Sequence, residues 1–175
     1  CQYGIGVDGR VGMYVEEKNR SWCSSSNAND QRAITIECAS DATHPYAFND
    51  TVYAKLIELC TDICKRYGKT KLLWFGDKTK TLNYEPASNE MVLTVHRWFA
   101  NKSCPGDWMY ARMGDLASKV TAKLGGSAGG TEKPADNQAL YRVQTGAFSN
   151  KTNADAMLQK VKDAGFDTYM VKVDN

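Results

Sequence analysis

The sequence predicts an α/β protein in two parts. Short β-branched, Gly-punctuated runs alternate with two stretches of helical periodicity over residues 1–124, a Gly-rich break follows, and a compact strand–helix–strand pattern ends the chain. At 175 residues there is room for one medium domain and a small one. The 42% hydrophobic content is ordinary for a globular chain, so a packed core is available. A net charge of +2 gives no broad electrostatic case for nucleic acid. No apolar run approaches the ~20 residues that span a bilayer, so no membrane span is expected. No signal peptide is read, and nothing in the pattern sets an oligomeric state. The chain opens in strand-like sequence at Cys1 without a Met, so its N-terminus is expected to be cut.

The elements follow in order. Tyr3–Val7, Asp8-Gly9 and Val11–Val15 read as a hairpin around an Asp-Gly turn. Ser21–Gln31 is polar and Asn/Ser-rich, hence a loop. Ala33–Ala39 is a β-branched run read as an inner strand. Asn49 or Asp50 caps a helix to Tyr67, stopped by Gly68, with Val52, Leu56, Leu59, Ile63 and Tyr67 at helical spacing. Leu72–Phe75 is a short strand, residues 77–90 a polar surface loop, and Met91–Val95 a buried strand. Trp108–Leu124, with Met109, Met113, Leu116, Val120 and Leu124 on one face, predicts a closing helix.

Composition then breaks. Residues 125–139 predict a flexible linker, Gly-rich at its start. Beyond it, Tyr141–Phe148 alternates, Asn150 caps a helix through Ala154, Met157, Leu158 and Val161, and Phe166–Val173 alternates again. Such a unit buries little core, since domains below ~40 residues rarely fold unaided. Residues 140–175 are therefore expected to be a truncated module.

Six cysteines permit disulfides, but their spacings match no framework, and a chain this long and apolar needs none. Cys60 and Cys64 share a helix face with Leu56, Ile57 and Ile63 and read as small core hydrophobes made in a reducing compartment.

The chemistry concentrates in His96–Gly106. His96 follows the strand Met91–Val95, and Cys104 stands before a Pro-Gly turn eight residues later, with Lys102 between them. Imidazole and thiolate are good zinc ligands, and a catalytic zinc takes three protein ligands with one open position. Singly, each residue also reads as structural: a hydrogen-bonded strand-end His, a buried thiol by a turn. Glu37 lies in an apolar strand, where a carboxylate needs a partner or a task. Alternation leaves a second reading open, in which Thr35 and Glu37 share a wet face. Lys102 is either a solvated surface lysine or a fixed charge for an oxyanion. Trp22, Trp98 and Trp108 either pack in the core or line a sugar-binding cleft.

Val95–Gly106 resembles the C-terminal zinc motif of type 2 N-acetylmuramoyl-L-alanine amidases. Ala33–Glu37 resembles that family's Ile-Gly-Ile-Glu strand, Tyr3–Gly9 its first hairpin, and Asn19–Cys23 its substrate loop. The likeness covers residues 1–124, in the family's motif order, and is nearest to endolysins of phages infecting clostridia. It implies a mixed β-sheet flanked by helices and a bound Zn2+ with His96 and Cys104 as second and third ligands. It also implies Glu37 as general base, Lys102 as oxyanion stabiliser, and Trp22 and Trp98 toward the substrate. The family's first zinc His precedes the first hairpin, and His44 is out of place for it. Residues 1–124 are therefore expected to be a catalytic domain lacking that ligand and its strand. Tyr141–Phe148, Asn153-Ala154 and Ala164–Phe166 resemble the first half of a sporulation-related (SPOR) repeat, similar to modules that bind peptidoglycan glycan.

Together these resemblances imply a zinc amidase that cleaves between N-acetylmuramic acid and L-alanine. Its partner would be bacterial cell-wall peptidoglycan, and it would be made in the host cytoplasm and released at lysis. The alternatives are a non-catalytic peptidoglycan-recognition module and a Cys104/His96 nucleophilic hydrolase. Pro105 disfavours the last, because many thiol nucleophiles sit at an activating helix N-terminus.

Overall fold

The computed structural model describes residues 1–125, 148–163 and 170. The chain divides into two compact units, Cys1–Lys133 and Pro134–Asn175. In the first, β1 (Tyr3–Ile5) and β2 (Val11–Met13) form the expected antiparallel hairpin. Gly9 takes φ +79° at its turn, a conformation L side chains rarely adopt. β3 (Ile36–Cys38) pairs parallel with the other edge of β1, giving a three-stranded sheet in the order β2-β1-β3. Among the described residues a second sheet holds two strands, β4 (Lys71–Leu73) and β5 (Glu90–Val92), which run parallel. The sheet is thus mixed, as expected, but in two pieces. β3 was expected inside a sheet and instead stands at an edge, because no described strand pairs with its far side.

Helix α2 (Asp50–Arg66) forms where periodicity and caps predict it. The Asn49 side chain accepts from the Val52 N–H, and Gly68 beyond its end has φ +65°. Its buried stripe runs through Val52, Leu56, Cys60, Ile63 and Cys64, while Tyr67 lies at the surface with its hydroxyl on Glu17. Burial pushes the Cys60 thiol up to about 12 and that of Cys64 to about 11, so neither is reactive. All six cysteines are unpaired.

Helix α5 (Met113–Lys123) packs on β4 and on α2. Thr121 seals the outer edge of β4: its hydroxyl accepts from the Leu72 N–H (3.0 Å) and donates to the Leu72 carbonyl (3.2 Å). The core between these layers joins Ile5, Val52, Leu56, Leu72, Val95, Met109, Leu116 and Val120.

Three expectations are corrected. The Ser21–Gln31 loop contains a helical turn, α1 (Asn27–Asp30), capped by Ser26. The 77–90 loop contains α3 (Lys78–Asn83), because the Asp77 side chain accepts from the Lys80 N–H (2.6 Å) and the Asp77 carbonyl from Thr81 Oγ1. The Trp108–Leu124 helix is split into α4 (Asp107–Tyr110) and α5, because Arg112 leaves helical geometry at φ −105°, ψ 2°.

In the second unit, α6 (Lys151–Asp163) occupies the predicted helix. The linker 125–139 and the strands predicted at 141–148 and 166–173 fall largely or wholly outside the described residues.

Candidate functional site

A cavity of about 480 Å³ opens between the two sheets. Every residue from Ala33 to Cys38 lines it on one side and every residue from Leu93 to His96 on the other. Successive strand side chains point to opposite faces, so such a lining means that the cavity meets the backbone edge of each segment. Leu56, Cys60, Met109 and Leu116 form its apolar floor, and Ser103–Gly106 its rim.

Glu37, His96 and Cys104 all line this cavity. β5 ends at Val92, earlier than predicted, and buried Val95 carries the chain into a 3-10 turn, His96–Trp98. His96 therefore starts a turn rather than ending a strand. Its Nε2 lies 3.4 Å from Ser25 Oγ. Arg97 next to it closes the loop onto Cys104. Its backbone N–H donates to the Cys104 carbonyl (3.0 Å), and its guanidinium donates to the Ser103 carbonyl (2.6 Å) and to Asp107 Oδ1 (2.9 Å). The eight-residue spacing between imidazole and thiol is thus pinned at the backbone. The Cys104–Pro105 peptide is cis, and Gly106 has φ +83°. A Cβ at Gly106 would meet Tyr46 Cβ at 2.9 Å and the Pro45 carbonyl at 3.0 Å, so only glycine fits.

Glu37 is exposed on β3, whereas Thr35 is half-buried and bonded to Gln2 and Ser21, so the two do not share one wet face. Glu37 borders the cavity, and the Cys23 thiol donates to its Oε1 at 3.4 Å. Burial raises the Cys23 pKa, and the Glu37 carboxylate adds to the rise, so this thiol stays protonated.

The remaining candidates lie outside the lining. Lys102 is exposed on the rim loop and forms no ion pair among the described residues. Trp98 stacks on Trp74, rings 4.9 Å apart and 5° from parallel, so one of its faces is covered. Trp22 is 74% exposed beside Cys23, with the Arg20 guanidinium 3.6 Å over its ring. Trp108 packs against Phe48 and Tyr53. His44 turns to Asp107, with Nε2 2.8 Å from Oδ2. Asp107 is held below the usual carboxylate range, first by His44 and then by Arg97.

Two contributors escaped the sequence reading, Ser25 and Thr94. A polar Ser/Asn run signals a loop but does not say which wall the loop folds against.

Residues 1–107 match the family model described as N-acetylmuramoyl-L-alanine amidase, and residues 137–175 match that of the SPOR domain. No curated protein and no solved structure matches the chain.

Proposed function

The chain belongs to the N-acetylmuramoyl-L-alanine amidase family, and from that premise we propose that it hydrolyses the amide between N-acetylmuramic acid and L-alanine in bacterial peptidoglycan. The observation that carries this reading is the convergence of Glu37, His96 and Cys104 on one cavity. Water attacks the lactyl carbonyl carbon, and Glu37 takes its proton. Negative charge gathers on the carbonyl oxygen, and Lys102 is the residue assigned to stabilise it. The C–N bond then breaks, the proton passes to the departing L-alanine nitrogen, and a carboxylate and an amine result. Trp22 and Trp98 flank the glycan side. The SPOR domain is proposed to hold the enzyme on the glycan, so that it acts at the cell wall after synthesis in the host cytoplasm and release at lysis.

Zinc is the metal that this donor chemistry suits. His96 and Cys104 would hold it, and it would supply a Lewis acid for the carbonyl and the water. The described residues do not complete such a site: they contain no group of three His, Cys, Asp or Glu able to hold a metal. That same observation favours a second reading, a non-catalytic peptidoglycan-recognition module.

The two readings separate in one assay. Purified peptidoglycan is incubated with the zinc-supplemented chain, sedimented to measure binding, and labelled for new amino groups. New L-alanine N-termini, abolished in Glu37→Gln while binding persists, support the amidase. Binding without any new amino groups supports recognition and overturns the amidase reading.

A further inference from the structure

A buried chain of hydrogen bonds that the proposed chemistry does not use crosses the cleft. Asp30 is only 3% exposed, yet it has no cationic partner among the described residues. Its Oδ1 accepts instead from the Ser24 N–H (2.8 Å) and from the Ser24 hydroxyl (2.7 Å). Asn29 Nδ2 donates to the same Ser24 oxygen (3.0 Å), and Asn29 Oδ1 accepts from the Thr94 hydroxyl (3.0 Å) on the opposite wall. A carboxylate out of water without a cation is costly, and its retention calls for a task.

The backbone around Ser24 indicates that task. Trp22 and Ser25 both take left-handed conformations, at φ 57° and 62°. Side-chain-bearing residues persist there only when their surroundings over-determine them. The flanking residues then touch the two candidate groups: the Cys23 thiol meets Glu37, and the Ser25 hydroxyl meets His96. Thr94, the far anchor, lies two residues before His96.

We propose that Asp30 is a positioning residue that locks the Trp22–Ser25 loop across the cleft and so fixes Glu37 and His96 relative to one another. The effect on turnover rests on the amidase reading; the effect on the placement of His96 does not.

Three variants test it. Small misplacements of reacting groups cost up to about a hundredfold, so Asp30→Ala should lower kcat by about 30-fold or more and change KM far less. Asp30→Asn keeps the oxygen that accepts from Ser24 and should recover most of the rate. Thr94→Val removes only the far anchor and should cost about fivefold on the same ground. Amide exchange should show Ser24 unprotected in Asp30→Ala while α2 stays protected. A folded Asp30→Ala that turns over within twofold of the parent, or an Asp30→Asn as slow as Asp30→Ala, overturns the proposal. If Asp30→Ala does not fold, Thr94→Val decides, and parental turnover in that variant overturns it. If the parent chain releases no amino groups, the amidase reading fails and the ring signals of the two histidines decide. A His96 signal that moves in Thr94→Val while His44 stays supports positioning, and an unmoved His96 signal overturns it.

Discussion

Glu17 and Asp107 each gather basic partners, in two different regions, with different consequences. Glu17 accepts two parallel bonds from Arg66 (2.6 Å each), one from the Tyr3 hydroxyl (2.7 Å) and one from the Tyr67 hydroxyl (3.0 Å). Its side chain is 12% exposed. Asp107 takes His44 and Arg97 at 2.8 and 2.9 Å, but its side chain is 58% exposed. The first hub ties the segment after the hairpin to β1 and the end of α2, and none of its residues lines the cavity. The second ties two loops around Cys104. Bidentate pairing to a carboxylate that is itself shielded contributes stability, whereas pairing to an exposed carboxylate is screened and mainly sets geometry.

The sharpest way to break this comparison is Glu17→Gln. It removes the bidentate one of the two carboxylates on the Arg66 guanidinium, leaving Asp62 at 2.9 Å, and a loss of about 2 kcal/mol is expected for the charge-assisted bonds to Glu17. In a unit of this size that lowers Tm by about 6 °C. The pH dependence follows from direction. Arg66 holds the Glu17 pKa near about 2, below its ordinary 4.5. A depressed carboxylate stabilises the fold above its unfolded pKa and ceases to do so as pH falls through the folded one. Thermal melts of the parent should therefore weaken between about pH 4.5 and pH 2, and Glu17→Gln should lose that part of the acid limb. Identical acid limbs would remove Glu17 as a stability hub.

Gly106→Ala sharpens the other side. The residue must hold φ +83° with its Cβ against Tyr46 and Pro45. Strain of that kind costs about 1–3 kcal/mol, part of it relieved by moving the Cys104 turn. A modest fall in Tm with a larger fall in peptidoglycan turnover is expected. Turnover equal to the parent would mean that the turn's geometry does not matter to the site.

How much of this was legible in the sequence differs by region. α2 was legible end to end, because a capping Asn, a stopping Gly and a long apolar stripe all agree. α3 was not, since six residues with a single apolar one, Leu82, carry no apolar period behind the Asp77 cap. The placement of His96 and Cys104 on one cavity agrees with their spacing and the Pro-Gly turn, although the short β5 puts His96 in a 3-10 turn. Alternation left Glu37 with two readings, and its place at the cavity edge is what the proposed role rests on. The Asp30–Ser24–Asn29–Thr94 chain was invisible, because Asn29 and Thr94 are 65 positions apart and nothing local couples them.

Asp107→Asn is the smallest change and the cleanest test of the comparison. The amide keeps an oxygen that can accept from Arg97 but loses the charge that holds His44 and Arg97 together. Because the group is open to water, the melting temperature should stay close to that of the parent, and added salt should mimic the substitution. The effect should appear locally, as faster exchange of the Arg97 amide, whose bond to the Cys104 carbonyl depends on the loop staying closed. Turnover should fall about two- to threefold, in keeping with a small displacement at the cleft rim. A drop in Tm as large as that of Glu17→Gln would show that exposure does not separate the two hubs, and Asp107 would then be part of what holds the fold together.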